Sequence, residues 1–458
     1  MRLPCLLGFV LFAVPLFAAP GMPVPAVVSR YVDEAFAANL ALQRQKLDAD
    51  TARARLAAAR ALYFPQLDFA ARYTVADGGR TIDIPVGDLL NPAYRTLNEL
   101  LGSAQFPQVP NQSIAFLRGH EQETKLRLLQ PLYQPQIKHG TTAARAGVAG
   151  AQAALAAFKR ELRLDVQRSY FRWLQAEAAV RVYDAAHEVV EEAWRTARVL
   201  VATDVATEDA ALRAEAEVMS VRQQRLAAAA DRDLARAYLN FLLNRAPTTD
   251  IERVSDAELE TLTAVLVVPD PAAPSATGQR EELAAVEQGV RAATAAEQAA
   301  RAARQPSLAL AVEAGIQGEN YRFGRGSNFS QASVVADWSL FDGRRIASQV
   351  REAGNERAKA AAQRDEVQRQ LALQADDAGR RLAAASAALV AARARSSAAE
   401  RVFDLVSRRQ REGLVNQLGF LDARREHTAA QLGCAIARSQ LFVAAVEYDR
   451  ALALTPVP

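Results

Sequence analysis

The stretch "DWSLFDGRRIASQV" (residues 337–350) decides the fold of this chain. In it an alternating, strand-like segment passes through Asp342 and Gly343 into a charged, alanine-rich helix. A similar junction occurs earlier, because "QPLYQPQ" (130–136) aligns with "WSLFDGR" (338–344) at an offset of 208 residues. A strand that leads directly into a long helix, and does so twice, suggests an internal duplication.

The duplication extends well beyond these junctions. The segment "DVATEDAALRAEAE" from Asp204 overlays "GLVNQLGFLDARRE" from Gly413 at an offset of 209, and Pro247 and Pro456 end both copies at the same offset. Upstream, "FPQLDFAARYT" (64–74) resembles "QPSLALAVEAG" (305–315) at an offset of 241. The first copy therefore has about 32 additional residues between its two strands.

Each copy is predicted to run as helix, strand, strand, very long helix, turn and shorter helix. A signal peptide is predicted at 1–26, cleaved near 18–26. The first repeat (27–247) is predicted to contain strands at about 64–75 and 124–133, a loop at 76–123 between them, and a helical hairpin at 139–246. After a linker or equatorial segment (248–279), the second repeat (280–458) is predicted to contain strands at about 305–317 and 331–341 and a helical hairpin at 344–455.

The predicted strands are apolar on one face and polar on the other. In the first strand Leu67, Phe69 and Tyr73 alternate with Asp68 and Arg72. Strands of about 10 residues with this alternation fit a transmembrane barrel as well as a soluble sheet. Four strands cannot close a barrel of useful width, so a barrel would require several chains.

The predicted helices are long enough to form a tunnel. Residues 344–412 contain no proline and would make a rod of roughly 100 Å, and residues 141–203 one of roughly 95 Å. The shorter helices, joined end to end in pairs, reach about the same length. This matching predicts a hollow cylinder, although an ordinary coiled-coil bundle would satisfy the helices alone.

Composition and motifs argue against several other classes. A net charge of +3 in 458 residues does not suggest nucleic acid binding. The four histidines are scattered without metal-ligand spacing, and no G-x-x-x-x-G-K-[ST] phosphate loop is present, so we expect no metal, no cofactor and no enzyme. Cys5 lies in the predicted signal peptide, which leaves Cys434 as a small helix residue. Because arginines interrupt the alanine-rich stretches, we expect any membrane crossing to be made by strands.

Taken together, these features resemble the TolC-like outer membrane efflux protein family over essentially the whole mature chain. The resemblance rests on the junctions at Leu132-Tyr133 and Leu340-Phe341, the strands led by Pro65 and Pro306, and the tip "REGLVNQLGFLDARRE" (411–426). It implies a mainly α chain with a membrane β-barrel portion. Three protomers of four strands each would form a twelve-stranded barrel, continued by a long periplasmic α-helical barrel.

The resemblance also implies a function and partners. The chain would be the outer-membrane exit duct of a tripartite efflux or type I secretion system, a passive conduit from periplasm to exterior. It would act as a homotrimer in outer-membrane lipid, with a periplasmic adaptor and an inner-membrane transporter. The alternative is a periplasmic coiled-coil scaffold or adaptor without a membrane barrel.

Site residues follow from the same resemblance. Asp204 replaces the family's turn glycine in the first copy, which leaves the geometry of that turn in doubt. Asp422 matches one of the two acidic positions of the family's periplasmic aperture, and Gly419 occupies the other. With threefold symmetry, Asp422 would place three carboxylates around the pore axis and favour cations. An exposed pairing of Asp422 with Arg424 or Arg425 is the competing interpretation. The implied sites are hairpin tips for adaptor contact (Asp204, Val205, Gly413, Leu414, Val415), the aperture (Asp422) and strand-helix junctions (Leu132, Tyr133, Leu340, Phe341, Gly343).

The loop at 76–123 would lie outside the cell. Its "VGDLLNPAYRTLNELLG" is amphipathic, with Leu89, Leu90, Leu97, Leu100 and Leu101 among the apolar positions. This segment could fold over the barrel mouth as a partial lid, or pack on its own residues as a surface loop.

Overall fold

A computed structural model describes residues 24–266, 268 and 280–458 of the chain. The predicted signal peptide lies almost entirely outside the described residues, as does the second half of the predicted linker. Within the described part the elements are α1 (Ala26–Ala38), α2 (Leu40–Ala61), β1 (Gln66–Val75), β2 (Thr81–Ile84), α3 (Val86–Leu101), β3 (Gln112–Ala115), β4 (His120–Tyr133), α4 (Pro135–Ala202), α5 (Glu208–Leu242), α6 (Asp256–Val265), α7 (Glu281–Ala302), β5 (Ser307–Gly318), β6 (Asn328–Asp337), α8 (Arg345–Arg411) and α9 (Gln417–Leu452).

These elements form two compact units. The helical unit comprises the described residues of Met1–Ala54, Arg145–Ala292 and Glu356–Pro458. The sheet unit comprises Arg55–Ala144 and Ala293–Asn355. Each unit draws on both sequence repeats, because each repeat contributes its strands to one unit and its hairpin tip to the other.

The sheet unit is built on one four-stranded antiparallel sheet. Its strand order is β1-β4-β5-β6, so the two strands of each repeat lie side by side and the repeats meet between β4 and β5. Phe69 is opposite Leu126, and Leu126 is opposite Ala314, which aligns the apolar positions of three strands on one face. The loop between β1 and β4 forms its own small sheet from β2 and β3.

The second strand-helix junction differs from the sequence prediction. We predicted a strand to residue 341, but β6 ends at Asp337. The pairing ends there because β5, the partner strand, begins at Ser307, which lies opposite Asp337. Beyond the strand, the Trp338 indole Nε1 donates to the carbonyl oxygen of Arg304 at 3.0 Å. Gly343 and Arg344 then have φ of 63° and 72°, and the Asp342 carboxylate caps the next helix by accepting from the Ile346 amide at 2.8 Å.

The first junction is tighter. β4 ends at Tyr133 and α4 begins at Pro135, so Gln134 alone separates strand from helix. Proline suits this position because residues in the first helical turn have no intrahelical acceptor for a backbone N–H, and proline has no N–H to leave unpaired. Its fixed φ is also already helical. The two copies therefore make the same transition with different local chemistry.

The core of the helical unit is aromatic where α4 meets α1 and α9. The rings of Phe171 and Phe442 stack at 4.9 Å between centroids. The buried hydroxyl of Tyr170 accepts from the Val254 amide at 3.1 Å and donates to the Glu252 carbonyl at 3.0 Å. These bonds fasten the segment that follows α5 onto α4, and burial raises the pKa of the Tyr170 hydroxyl.

One described helix, α9, is long and apolar enough by length and composition to cross a membrane. In the structure 44% of that apolar window is buried, and Leu441, Phe442 and Val446 belong to the core of the helical unit. The apolar character of α9 thus reflects packing between helices.

Candidate functional site

The two hairpin tips have the same backbone geometry. At the first tip the Val205 amide donates to the Leu200 carbonyl at 2.9 Å and the Asp204 amide donates to the Val201 carbonyl at 3.1 Å. At the second tip Leu414 donates to Arg409 at 2.8 Å and Gly413 to Gln410 at 3.0 Å. Both patterns are Schellman motifs, which satisfy the last carbonyls of α4 and α8.

Asp204 therefore adopts the turn conformation that its glycine counterpart adopts. Its φ is 57°, against 75° for Gly413, and both values lie in the left-handed region. Aspartate enters that region at modest cost, because its short polar side chain tolerates it better than a branched one. Val205 and Leu414 are exposed at these tips, and the side chain of Asn416 caps α9 by accepting from the Gly419 amide at 2.9 Å.

Asp422 lies on the second turn of α9 and pairs with Arg425 at 3.2 Å. The same Arg425 guanidinium bonds Glu217 of α5 at 2.6 Å. The Asp422 side chain remains 59% exposed while that of Glu217 is 6% exposed. The exposed pairing predicted as the competing interpretation is thus present, and Arg425 holds the Asp422 carboxylate through a buried anchor.

A buried ion cluster beside Asp422 was not predicted from the sequence. Arg424, with 4% of its side chain exposed, bonds Glu217 at 3.0 Å and donates to the Ala186 carbonyl of α4 at 3.2 Å. Burial lowers the pKa of Arg424, whereas the hydrogen bond that Arg425 donates to the Glu217 carboxylate raises the pKa of Arg425. A usable signal was present in α5, because Glu217 sits beside Ala214 and Val218 on the buried face of that helix.

One face of the four-stranded sheet is apolar, and in a single copy of the chain this face is largely not covered by other residues of the sheet unit. Leu67, Phe69 and Val75 of β1 are each about two thirds exposed or more, at 65%, 70% and 67%. Exposed apolar surface of this extent marks an interaction with lipid or protein. The junction residues Leu132, Tyr133, Leu340 and Phe341 are exposed as well, Phe341 to 90%.

The opposite face carries a chain of ion pairs. Glu123 bonds Arg72 at 3.2 Å and Lys125 at 2.9 Å, and Glu313 bonds Lys125 and Arg127, both at 3.3 Å. These five side chains span β1, β4 and β5. A sheet with one apolar and one charged face separates a lipid-like environment from an aqueous one.

The chain matches the sequence model of outer membrane efflux proteins over residues 31–245 and 272–453. The chain belongs to the outer membrane efflux protein family. Membership locates it in the outer membrane, with its helical part in the periplasm, and makes it an exit duct for efflux. The predicted family, function and location are confirmed, and no finding supports the scaffold alternative.

Solved outer-membrane channels share the fold of this family member. The Campylobacter jejuni CmeC outer membrane channel is 16% identical with a TM-score of 0.77, covering 94% of this chain and 86% of its own. The CusC transmembrane channel is 18% identical with a TM-score of 0.77, covering 96% and 95%. The Neisseria gonorrhoeae MtrE outer membrane channel, in its open state, is 19% identical with a TM-score of 0.74, covering 93% and 88%. No curated protein sequence matches the chain.

These structures confirm the predicted fold class, mainly α with a β-barrel portion and a helical barrel. In the described part of the chain no group of three or more His, Cys, Asp or Glu side chains is arranged to hold a metal ion.

Proposed function

We propose that three copies of this chain assemble into one passive conduit, in which their strands close a twelve-stranded barrel. The observation that carries the proposal is the four-stranded sheet with β1 and β6 at its edges, one face apolar and the other charged. An open sheet cannot remain in lipid, because unpaired backbone groups at its edges have no water to bond. Pairing β6 of one copy with β1 of the next removes both edges.

The hairpin tips are the proposed contact with a periplasmic adaptor, through which an inner-membrane transporter drives export. The support is local: two turns of equal geometry expose Val205 and Leu414 beyond the ends of the long helices. We propose no chemical reaction of the transported molecule, because a conduit needs a continuous pore and no catalytic group.

Asp422 is the proposed selectivity residue of the periplasmic aperture. Its exposed carboxylate is held in place through Arg425, which in turn is held by the buried Glu217. Threefold symmetry would present three such carboxylates to the pore axis, an arrangement that favours cations. The second acidic position of relatives is Gly419 here, so this ring would act alone.

The test is the mass and activity of the purified protein. In mild detergent we expect a complex of three chains that forms channels in a planar bilayer. A cysteine in β1, at Thr74, combined with one in β6, at Gln331, should give disulfide-linked multimers under oxidation, and neither substitution alone should. A protein extracted from membranes without detergent, or a monomer that never conducts, would overturn the proposal.

A further inference from the structure

The insertion between β1 and β4 holds its helix rigidly. The carbonyl oxygen of the Asn91 side chain accepts from the Val109 amide at 2.8 Å, and its amide donates back to the Val109 carbonyl at 2.9 Å. Asn98 makes the same reciprocal pair with Phe106, at 2.9 and 2.8 Å. Because these asparagines are seven residues apart, they line one side of α3 and fix it to the segment that follows.

The start of α3 is fixed in a similar way. The Asn111 side-chain oxygen accepts from the amides of Gly87 and Asp88 at 2.9 and 3.1 Å, which caps the helix from outside it. Gly87 is required for this approach, since a Cβ there would lie 2.2 Å from the Val109 carbonyl oxygen. The helix is therefore a preformed element of the sheet unit.

A second face of α3 is apolar and, among the described residues, is largely left exposed. Leu89 and Leu100 are 73% and 79% exposed. Heptad spacing relates Leu90 to Leu97 and Ala93 to Leu100, which are the a and d positions of a coiled coil. Leu89 and Leu101 flank them and widen the apolar face, as a bundle of more than two helices requires.

The charge of the insertion argues against a lipid surface as the occupant of this face. Residues 76–119 carry four acidic and three basic residues, and the charged residues of α3 itself are Asp88, Arg95 and Glu99. A helix that binds anionic headgroups through its polar face is rich in lysine and arginine. The α3 face is suited instead to another apolar helix.

We propose that the α3 helices of three copies pack together through this face and form a cap over the outer mouth of the barrel. The inference rests on the proposed trimer. Twelve strands spaced about 4.8 Å apart and tilted about 40° enclose a radius of roughly 12 Å. Since α3 has 16 residues and is roughly 24 Å long, it can reach the axis. Two heptads are too short to associate alone, but the barrel would hold three copies at high effective concentration.

Cysteine cross-linking tests the cap. Leu97→Cys, on the apolar face, should form disulfides between copies under oxidation in intact cells. Arg95→Cys, on the charged face of the same helix, is the matched control and should not. The parent protein, which has Cys434, gives the background.

A second measurement reports closure itself. In a Ser333→Cys protein, whose cysteine lies on the charged face of β6, a bulky polyethylene-glycol maleimide added outside the cells should react slowly. Adding Leu97→Asp and Leu100→Asp should raise that rate severalfold, whereas adding Arg95→Asp should not.

The outcomes separate the cap from the trimer. If the protein is trimeric and conducts, but Leu97→Cys cross-links no better than Arg95→Cys, the cap is refuted and the trimer stands. Quenching of a fluorophore at Leu97 by quencher-labelled lipid would refute it in favour of a membrane-lying helix. If no trimer forms, the proposed function itself fails.

Discussion

At the scale of single residues, the two positions with left-handed backbone conformation, Asp204 and Gly413, determine how well each hairpin tip tolerates substitution. Gly413→Val should lower the free energy of unfolding by about 1–2 kcal/mol, because a branched side chain at a φ of 75° is strained. Asp204→Gly should be nearly neutral, since glycine accepts the φ of 57° freely. Denaturant unfolding of both variants checks this, and an equal loss in the two would contradict it.

A second residue-scale prediction concerns pH. Burial alone would raise the pKa of the Glu281 carboxyl, but the hydrogen bond and the charge of Arg160 hold it below its ordinary value. A lowered folded pKa gives stability that is present above the unfolded pKa, about 4.3, and is lost as pH falls through the folded value. Glu281→Gln should therefore cost about 2 kcal/mol at neutral pH.

The matching measurement is the thermal unfolding midpoint of parent and Glu281→Gln across pH. The difference between them should shrink as the buffer is acidified below the ordinary carboxyl pKa. Glu188→Gln is the control, because that side chain is exposed on α4. A difference that stays constant down to acidic pH would show that packing, and not charge, stabilises this site.

At the scale of helices, the cluster of Glu217, Arg424 and Ala186 joins α5, α9 and α4. Glu217→Gln leaves Arg424 buried without a counterion, and breaking such a pair costs about 3 kcal/mol or more. Glu215→Gln, an exposed neighbour on the same helix, should cost almost nothing. Equal unfolding free energies for the two variants would rule out this role for the cluster.

Element types were more predictable than element ends. Alternation predicted β1 and β5 because one face had to be apolar, and the lack of proline predicted α4 and α8. The end of β6 at Asp337 was missed, because it depends on where the partner strand β5 begins, at Ser307, which alternation within β6 cannot reveal. The Glu217 cluster joins residues 207 positions apart, and no local pattern encodes that pairing.

At the scale of the whole conduit, Asp422 should govern ion preference. We expect Asp422→Asn to reduce the cation preference of single channels, measured as the reversal potential in a salt gradient, because it removes three carboxylates from the proposed ring. Glu426→Gln, one turn further along α9 and also paired with an arginine, should leave the potential unchanged. An unaltered potential in Asp422→Asn would mean that selectivity is set elsewhere.

In the proposed trimer α3 lies outside the cell, where the hydrogen bonds made by the side chains of Asn91 and Asn98 have a further consequence. Neither Asn91 nor Asn98 is ionisable, and the side chain of each bonds only backbone groups of the segment that follows α3. Interactions between fixed charges weaken in brine and change in acid, whereas these four bonds involve no fixed charge. These four bonds should therefore persist in fresh water, salt water or acidic surroundings, which suits the outer position that the proposed trimer gives to α3.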